Sequence, residues 1–210
     1  MMDSFNMANK KRIYFGTDGM RGKVGELPMS PEFLVKFGWA LGKLISDTSK
    51  PTVLIGKDTR ISGYMIESAL EAGFISAGMN VSLIGPMPTP GVAYLAKSTN
   101  QAGVVISASH NKFHDNGIKF FNSKGFKFSY DLEKKIESVL LERSTVVESL
   151  ELGKASRLND AQESYIEFCK SSALNLDLSD LSLVIAGTNA EIRNPLYHGE
   201  ISTLNAFFKL

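Results

Sequence analysis

Apolar residues along this chain alternate between two rhythms. Short continuous runs at residues 52–55, 81–84 and 103–106 predict compact buried strands. Between them, apolar positions recur at helical spacing. Phe33, Leu34, Phe37, Leu41, Leu44 and Ile45 form one stripe behind Ser30-Pro31-Glu32, a helix start with a hydroxyl cap, a proline at the first helical position and an acid in the first turn. Met65, Ile66, Ala69, Leu70, Gly73, Phe74 and Ala77 form a second stripe, capped by Ser62 and stopped by Gly78. Residues 11–15 read as a strand that ends in the glycine-rich segment 16–22, and residues 92–97 read as a helix after a stiff proline-rich connector. A strand entered through Asn116-Gly117-Ile118-Lys119 turns back at Ser123-Lys124-Gly125, and a helix over 130–141 faces Leu132, Ile136, Val139 and Leu140 inward. This βαβα order predicts an α/β layered domain with a mixed, largely parallel sheet between helices, where ligands gather at the carboxyl ends of the strands.

Residues 144–157 are polar and read as a boundary. The expected organisation is a disordered lead-in over 1–10, a first domain over 11–150, and the opening of a second α/β domain over 158–210, with a helix at 161–173 and a strand at 181–185. That second domain is expected to be incomplete, because 25 residues after Ile185 are too few for the βα units such a strand needs as neighbours. Its unpaired apolar edge is an expected route to self-association.

Composition narrows the function. Apolar residues make up 43% and charged residues 21%, an ordinary globular balance. With 23 Lys and Arg against 22 Asp and Glu there is no global field to recruit nucleic acid or an anionic membrane, so any anion binding is local. The single Cys169 excludes an internal disulfide framework and is expected in helix core; the default compartment is a reducing cytoplasm. The first residues hold no apolar stretch of signal-peptide or membrane-anchor character.

The chemistry concentrates in GVVISASHNKFHDNGIKFFN, residues 103–122. A polar turn carrying Ser107, Ser109, His110 and Asn111 leaves an apolar strand, which frees backbone N–H groups that Ala108 is small enough to let a phosphate approach. A seryl hydroxyl there is a rigid mount for a phosphate, and Lys119 supplies charge or a movable proton. GTDGMRG and GKDTR fall at other strand ends. Two rival readings remain open: a non-catalytic phosphosugar-binding module, and a serine hydrolase built on Ser109, His110 and Asp115. The hydrolase is disfavoured because neighbours on an extended strand point to opposite faces. His114 and His198 have no spacing that supports a metal and are expected to face solvent.

FGTDGMRG, GKDTRISG, GPMPTPGVAY and GVVISASHNKFHDNGIKFF together, in this order, resemble the amino-terminal part of bacterial phosphoglucosamine mutases, within the alpha-D-phosphohexomutase superfamily, from about Lys10 to Ile185. The resemblance implies conversion of glucosamine 6-phosphate, a phosphorylated amino sugar, to glucosamine 1-phosphate through a 1,6-bisphosphate, with other phosphohexomutase activities as the alternative. It further implies that Ser109 is the phosphoserine, that Lys119 and Arg21 transfer protons and stabilise charge beside it, and that His110 and Asn111 orient its loop. Thr17, Asn111, Asp58 and Arg60 are implied at the substrate side, Asp58 and Arg60 having the strand-end placement of supports or, equally, of a plain surface ion pair. Mg²⁺ is implied as cofactor, held by the Ser109 phosphate and by three aspartates of an Asp-Gly-Asp-Ala-Asp-Arg loop that these 210 residues do not contain. Lys112 stands where many family members carry proline, and the tail 186–210 departs from the family pattern. The expectation is therefore a truncated chain, inactive alone.

Overall fold

The computed structural model describes residues 12–45 and 51–172. Six strands, β1 (Met20–Lys23), β2 (Thr52–Lys57), β3 (Asn80–Pro86), β4 (Ala102–Ile106), β5 (Asp115–Phe121) and β6 (Ala155–Arg157), form one sheet in the order β1-β5-β4-β2-β3-β6. β2 pairs in parallel with β3 and β4, and β3 with β6, while β5 is antiparallel to both β4 and β1. Five strands thus run one way and β5 alone runs against them. The helices among the described residues are α1 (Pro31–Ile45), α2 (Ser62–Ser76), α3 (Thr89–Ser98), α4 (Tyr130–Val139) and α5 (Ala161–Ser171).

The strand period of two divides the core. Val53, Ile55, Val104, Ile106, Ile118 and Phe120 pack with Leu34, Phe37 and Leu41 of α1, Ile66, Leu70 and Phe74 of α2, and Ile136 of α4. The alternate residues Leu54, Val105 and Phe121 pack on the opposite face with Val92, Leu95 and Ala96 of α3 and with Ala161. The sheet is a middle layer between two helical layers, as its unbroken apolar strands require. On the first face the backbones of α1 and α2 meet directly: a Cβ on Gly73 would lie 2.2 Å from the Val35 carbonyl oxygen, and one on Gly38 would lie 2.6 Å from that of Leu70.

Most predicted elements stand where the periodicity put them. Residues 11–15 are a correction, because no strand forms over the described part, 12–15. The backbone N–H groups of Ile13, Tyr14 and Phe15 instead donate to the Glu137 carboxylate of α4, and Ile13 is exposed. The sheet's edge strand lies further on, at β1, which begins inside the glycine-rich segment 16–22. Ser62 is not the cap of α2: the cap position is Ile61 without a side-chain bond, and the Ser62 hydroxyl accepts a hydrogen bond from Asn116 Nδ2 at 2.8 Å. β6 is an element the polar segment 144–157 gave no sign of; its three residues are all exposed, so it joins the sheet through backbone pairing rather than burial. Cys169 is half-buried rather than core, and α5 rests on α3 by stacking Phe168 on Tyr94 with ring centroids 4.1 Å apart. The lead-in, the strand at 181–185, the tail 186–210 and His198 lie outside the described residues.

Candidate active site

β4 and β5 are joined by the loop 107–114 at the carboxyl end of the parallel strands. Ser107 is buried at its root; its N–H donates to the Gly117 carbonyl at 2.8 Å, and its hydroxyl accepts from the Ser109 N–H at 3.0 Å. Ser109 has φ +55, in the left-handed region that a residue with a Cβ adopts at a cost. Its hydroxyl is half-exposed and 3.4 Å from His110 Nδ1. The two neighbours therefore do not point to opposite faces, because Ser109 has left the extended strand conformation. No triad results: the Asp115 carboxylate accepts from Asn111 Nδ2 at 3.1 Å and lies 3.6 Å from His114 Nε2, not beside His110. His114 is exposed as expected.

Arg60 holds this loop in shape. Its Nη1 donates to the carbonyls of Lys112 (2.8 Å) and Asp115 (3.2 Å), and its Nη2 donates to those of Ser109 and Asn111, both at 2.8 Å. Asp58 orients the guanidinium by accepting from Arg60 Nε at 3.1 Å and from the Arg60 N–H at 3.1 Å. The side chains are 11% and 6% exposed, so this is a buried pair rather than a surface one. With its planar donors spent on four carbonyls, Arg60 grips the loop.

Arg21 and Lys119 approach from the edge of the sheet. Met20 pairs with Ile118 and Arg21 with Gly117, which sets β1 against the start of β5. Arg21 Nη1 donates to Asn111 Oδ1 at 3.3 Å and Nη2 to Asp18 Oδ2 at 3.2 Å. Lys119 Nζ also lies on Asp18 Oδ2, at 2.9 Å, and Lys127 Nζ on Oδ1, at 2.5 Å. Lys119 therefore has a carboxylate as its direct partner. The hydrogen bonds from Lys127 and then Lys119 hold the Asp18 carboxyl down at about 2, against a smaller desolvation effect that raises it. Thr17, exposed in the same turn, lines a cavity of about 110 Å³ with Asp18, Gly19, Lys119 and Lys127. Gly19 makes the close approach feasible: at φ +81, any Cβ there would lie 2.1 Å from the Ile118 carbonyl oxygen.

The structure thus brings Ser109, His110, Asn111, Arg60 and Asp58 together at the loop and links them through Arg21 to Asp18, Lys119 and Thr17. Asp18 and Lys127 take part without having been singled out as site residues, Ser107 braces the turn it was read in, and Asp115 bonds Asn111 rather than completing a triad. Asp18 had a signal, its place inside GTDGMRG; Lys127 had none, since only the length of the hairpin after β5 carries it to Asp18. Among the described residues no group of three or more His, Cys, Asp or Glu side chains is placed to hold a metal ion. No described helix is long and apolar enough to cross a membrane.

Residues 12–146 match the family described as phosphoglucomutase/phosphomannomutase, alpha/beta/alpha domain I. The chain belongs to this family. It is 57% identical over 182 residues to a phosphoglucosamine mutase of Pseudoalteromonas translucida (strain TAC 125), a match covering 86% of this chain and 40% of that protein. It is 56% identical over 185 residues to a phosphoglucosamine mutase of Haemophilus influenzae (strain PittEE), covering 87% and 41%. The chain spans about 40% of the length of the curated relatives it matches. Among solved structures, a Thermus thermophilus protein described as a phosphomannomutase superposes with TM-score 0.66 at 27% identity, covering 80% of this chain and 37% of that one. A phosphoglucomutase/phosphomannomutase family protein from Burkholderia thailandensis, at 20% identity and TM-score 0.64, covers 77% and 36% and shares the fold. The described residues form this three-layered domain, and Arg60 braces its loop with Ser109.

Proposed function

We propose that this chain supplies the phosphoserine part of a phosphoglucosamine mutase, with Ser109 as the residue that lends and recovers the phosphoryl group. The observation that carries the reading is the Ser109 loop itself: a half-exposed hydroxyl in a left-handed turn at a parallel strand end, gripped from behind by Arg60 and flanked by Arg21. The identity of more than half to proteins named phosphoglucosamine mutase supports the choice of glucosamine phosphates over other sugar phosphates.

The chemistry follows from moving one phosphoryl group between two sugar oxygens. A sugar hydroxyl attacks the phosphorus of phospho-Ser109 in line, the bond from phosphorus to Ser109 Oγ breaks, that oxygen takes a proton from the Lys119 ammonium, and the proton lost by the hydroxyl restores the ammonium. The resulting 1,6-bisphosphate turns over, Ser109 Oγ takes the other phosphoryl group, and the isomerised monophosphate departs. Lys119 and Arg21 supply the positive charge that stabilises the oxygens of the moving group, with Lys119 as the proton carrier. His110 and Asn111 keep the loop and its phosphate oriented, and Thr17, Asp58 and Arg60 support substrate and loop. Mg²⁺, where bound, would be held in part by the Ser109 phosphate and would supply neutralising charge. The described residues do not fit a complete site for it, since they offer the Ser109 phosphate without a carboxylate cluster around it. The partner is a phosphorylated amino sugar, and neither nucleic acid nor membrane enters the reading.

Incubation with glucosamine 1,6-bisphosphate followed by intact-mass measurement tests this. The expected result is the gain of one phosphate, abolished by Ser109→Ala. A wild-type chain that stays unmodified, or a label that survives Ser109→Ala, refutes the reading.

A further inference from the structure

Asp18 stands where three cations from three segments converge. Lys119 comes from β5, Arg21 from β1, and Lys127 from the hairpin that follows β5. Its Oδ2 takes Lys119 and Arg21 together, at 2.9 and 3.2 Å, while Oδ1 takes Lys127 at 2.5 Å. The turn beneath it is fixed, because the Gly16 N–H donates to the Gly19 carbonyl at 2.7 Å and the Gly19 Cα lies against the backbone of β5. The titratable groups around the adjoining cavity are Arg12, Asp18, Lys119, Lys127, Tyr130 and Glu133. Arg12 is committed elsewhere, to Glu133 and to the face of Tyr130 at 4.7 Å. Asp18 is therefore the carboxylate that meets Lys119. Two cations drawn to one oxygen lie closer together than their repulsion would otherwise allow, and Arg21 carries that placement on to Asn111 in the Ser109 loop.

We propose that Asp18 is a positioning residue of the phosphoryl-transfer site, whose carboxylate fixes Lys119 and Arg21 side by side at the Ser109 loop while Lys127 anchors it from the solvent side. The proposal rests on the functional reading above for its consequence, and on the geometry alone for the contact. Asp18 acts through the two cations and touches no reacting atom.

Two measurements on the same chain separate the contact from its consequence. In the first, lysines are acetylated competitively at low reagent and quantified by peptide mass spectrometry, with exposed Lys124 as reference and buried Lys57 as reporter of an intact fold. Asp18→Asn should raise labelling of Lys119 several-fold relative to Lys124 with Lys57 still protected, and Asp18→Glu should bring it back toward wild type. Unchanged labelling of Lys119 in a folded Asp18→Asn chain overturns the contact. Should Asp18→Asn expose Lys57, the wild-type chain titrated with sodium chloride reads the same ion pair: Lys119 labelling climbs with salt ahead of Lys57, and a flat response overturns it.

In the second, the rate at which Ser109 gains phosphate from glucosamine 1,6-bisphosphate should fall by about tenfold or more in Asp18→Asn and recover in part in Asp18→Glu. Equal rates in wild type and Asp18→Asn overturn the positioning role while leaving the functional reading intact. A wild type that gains no phosphate brings down the functional reading, and the acetylation result then decides the contact by itself.

Discussion

Replacing Arg60 by lysine keeps the charge and removes the fork. Arg60 makes four hydrogen bonds to carbonyls, three in the loop at 2.8 Å and one at the first residue of β5, in addition to its bonds to Asp58. A single ammonium on a flexible stem reaches one or two of those acceptors. At a net value of about 1 kcal/mol for each bond, the guanidinium contributes roughly 4 kcal/mol to holding the loop, and lysine about 1–2 kcal/mol. Against this stands the left-handed conformation of Ser109, which costs about 1–2 kcal/mol. Arginine wins that contest clearly, and lysine no more than balances it. The loop in Arg60→Lys should therefore open locally while the sheet stays folded. Amide hydrogen exchange reads this at Asn111 and Asp115, whose N–H groups donate to Ala108 and Lys112 inside the loop. Their exchange should quicken by about tenfold or more, with the strand amides of β2 and β4 unchanged. Adding Ser109→Gly removes the backbone strain and should restore about fivefold of the lost protection, roughly 1 kcal/mol. Exchange at Asn111 and Asp115 that is the same in wild type and Arg60→Lys would refute the idea that the guanidinium fork maintains the loop.

Two further outcomes follow from packing and charge. Gly73→Ala pushes α2 off the Val35 carbonyl and should lower stability by about 1–3 kcal/mol, read as a lower urea midpoint at unchanged slope. Asp18 titrates at about 2 in the folded chain, below its ordinary 3.8, so its contribution is fully present above about pH 4 and is lost as pH falls toward 2. Solvent around this carboxylate reduces that contribution to the order of 1 kcal/mol. The gap in urea midpoint between wild type and Asp18→Asn should therefore shrink between about pH 6 and pH 3, and a constant gap would contradict the sign of the shift.

The elements legible in the sequence are those whose burial leaves a period. The helices α1, α2 and α4 carry one apolar stripe each, and β2, β3 and β4 are continuous apolar runs because both faces of the sheet are covered. β1 and β6 were not legible, for two different reasons. β1 buries Met20 alone, so no alternation announces it, and its partner β5 decides where it lies. β6 buries nothing and exists through backbone pairing to β3, which has no side-chain signature. The site divides in the same way. Ser109, His110 and Asn111 are neighbours in sequence and could be read as a unit. The partners of Arg60 are mostly carbonyl oxygens, which every residue carries, so its four-fold grip on the loop is invisible until the chain is folded.

The reversed direction of β5 explains why these groups meet. A parallel neighbour for β4 would need a crossover of a dozen or more residues and would bring its far end to the Ser109 loop. Because β5 is antiparallel, the short loop 107–114 joins two adjacent strand ends, and the start of β5 lies beside the end of β4, with Val105 opposite Lys119. β1 then runs against β5 with Met20 opposite Ile118, which carries the Gly16–Gly19 turn just past that pair and sets Asp18 over Lys119. Sliding β1 by one residue would put Asp18 or Met20 where Gly19 now lies 2.1 Å, at its missing Cβ, from the Ile118 carbonyl. One glycine therefore fixes the register, and the register fixes which carboxylate faces which lysine. A neutral chain, with a net charge of only +1, can in this way gather Arg21, Lys119 and Lys127 around one oxygen pair without any overall positive field.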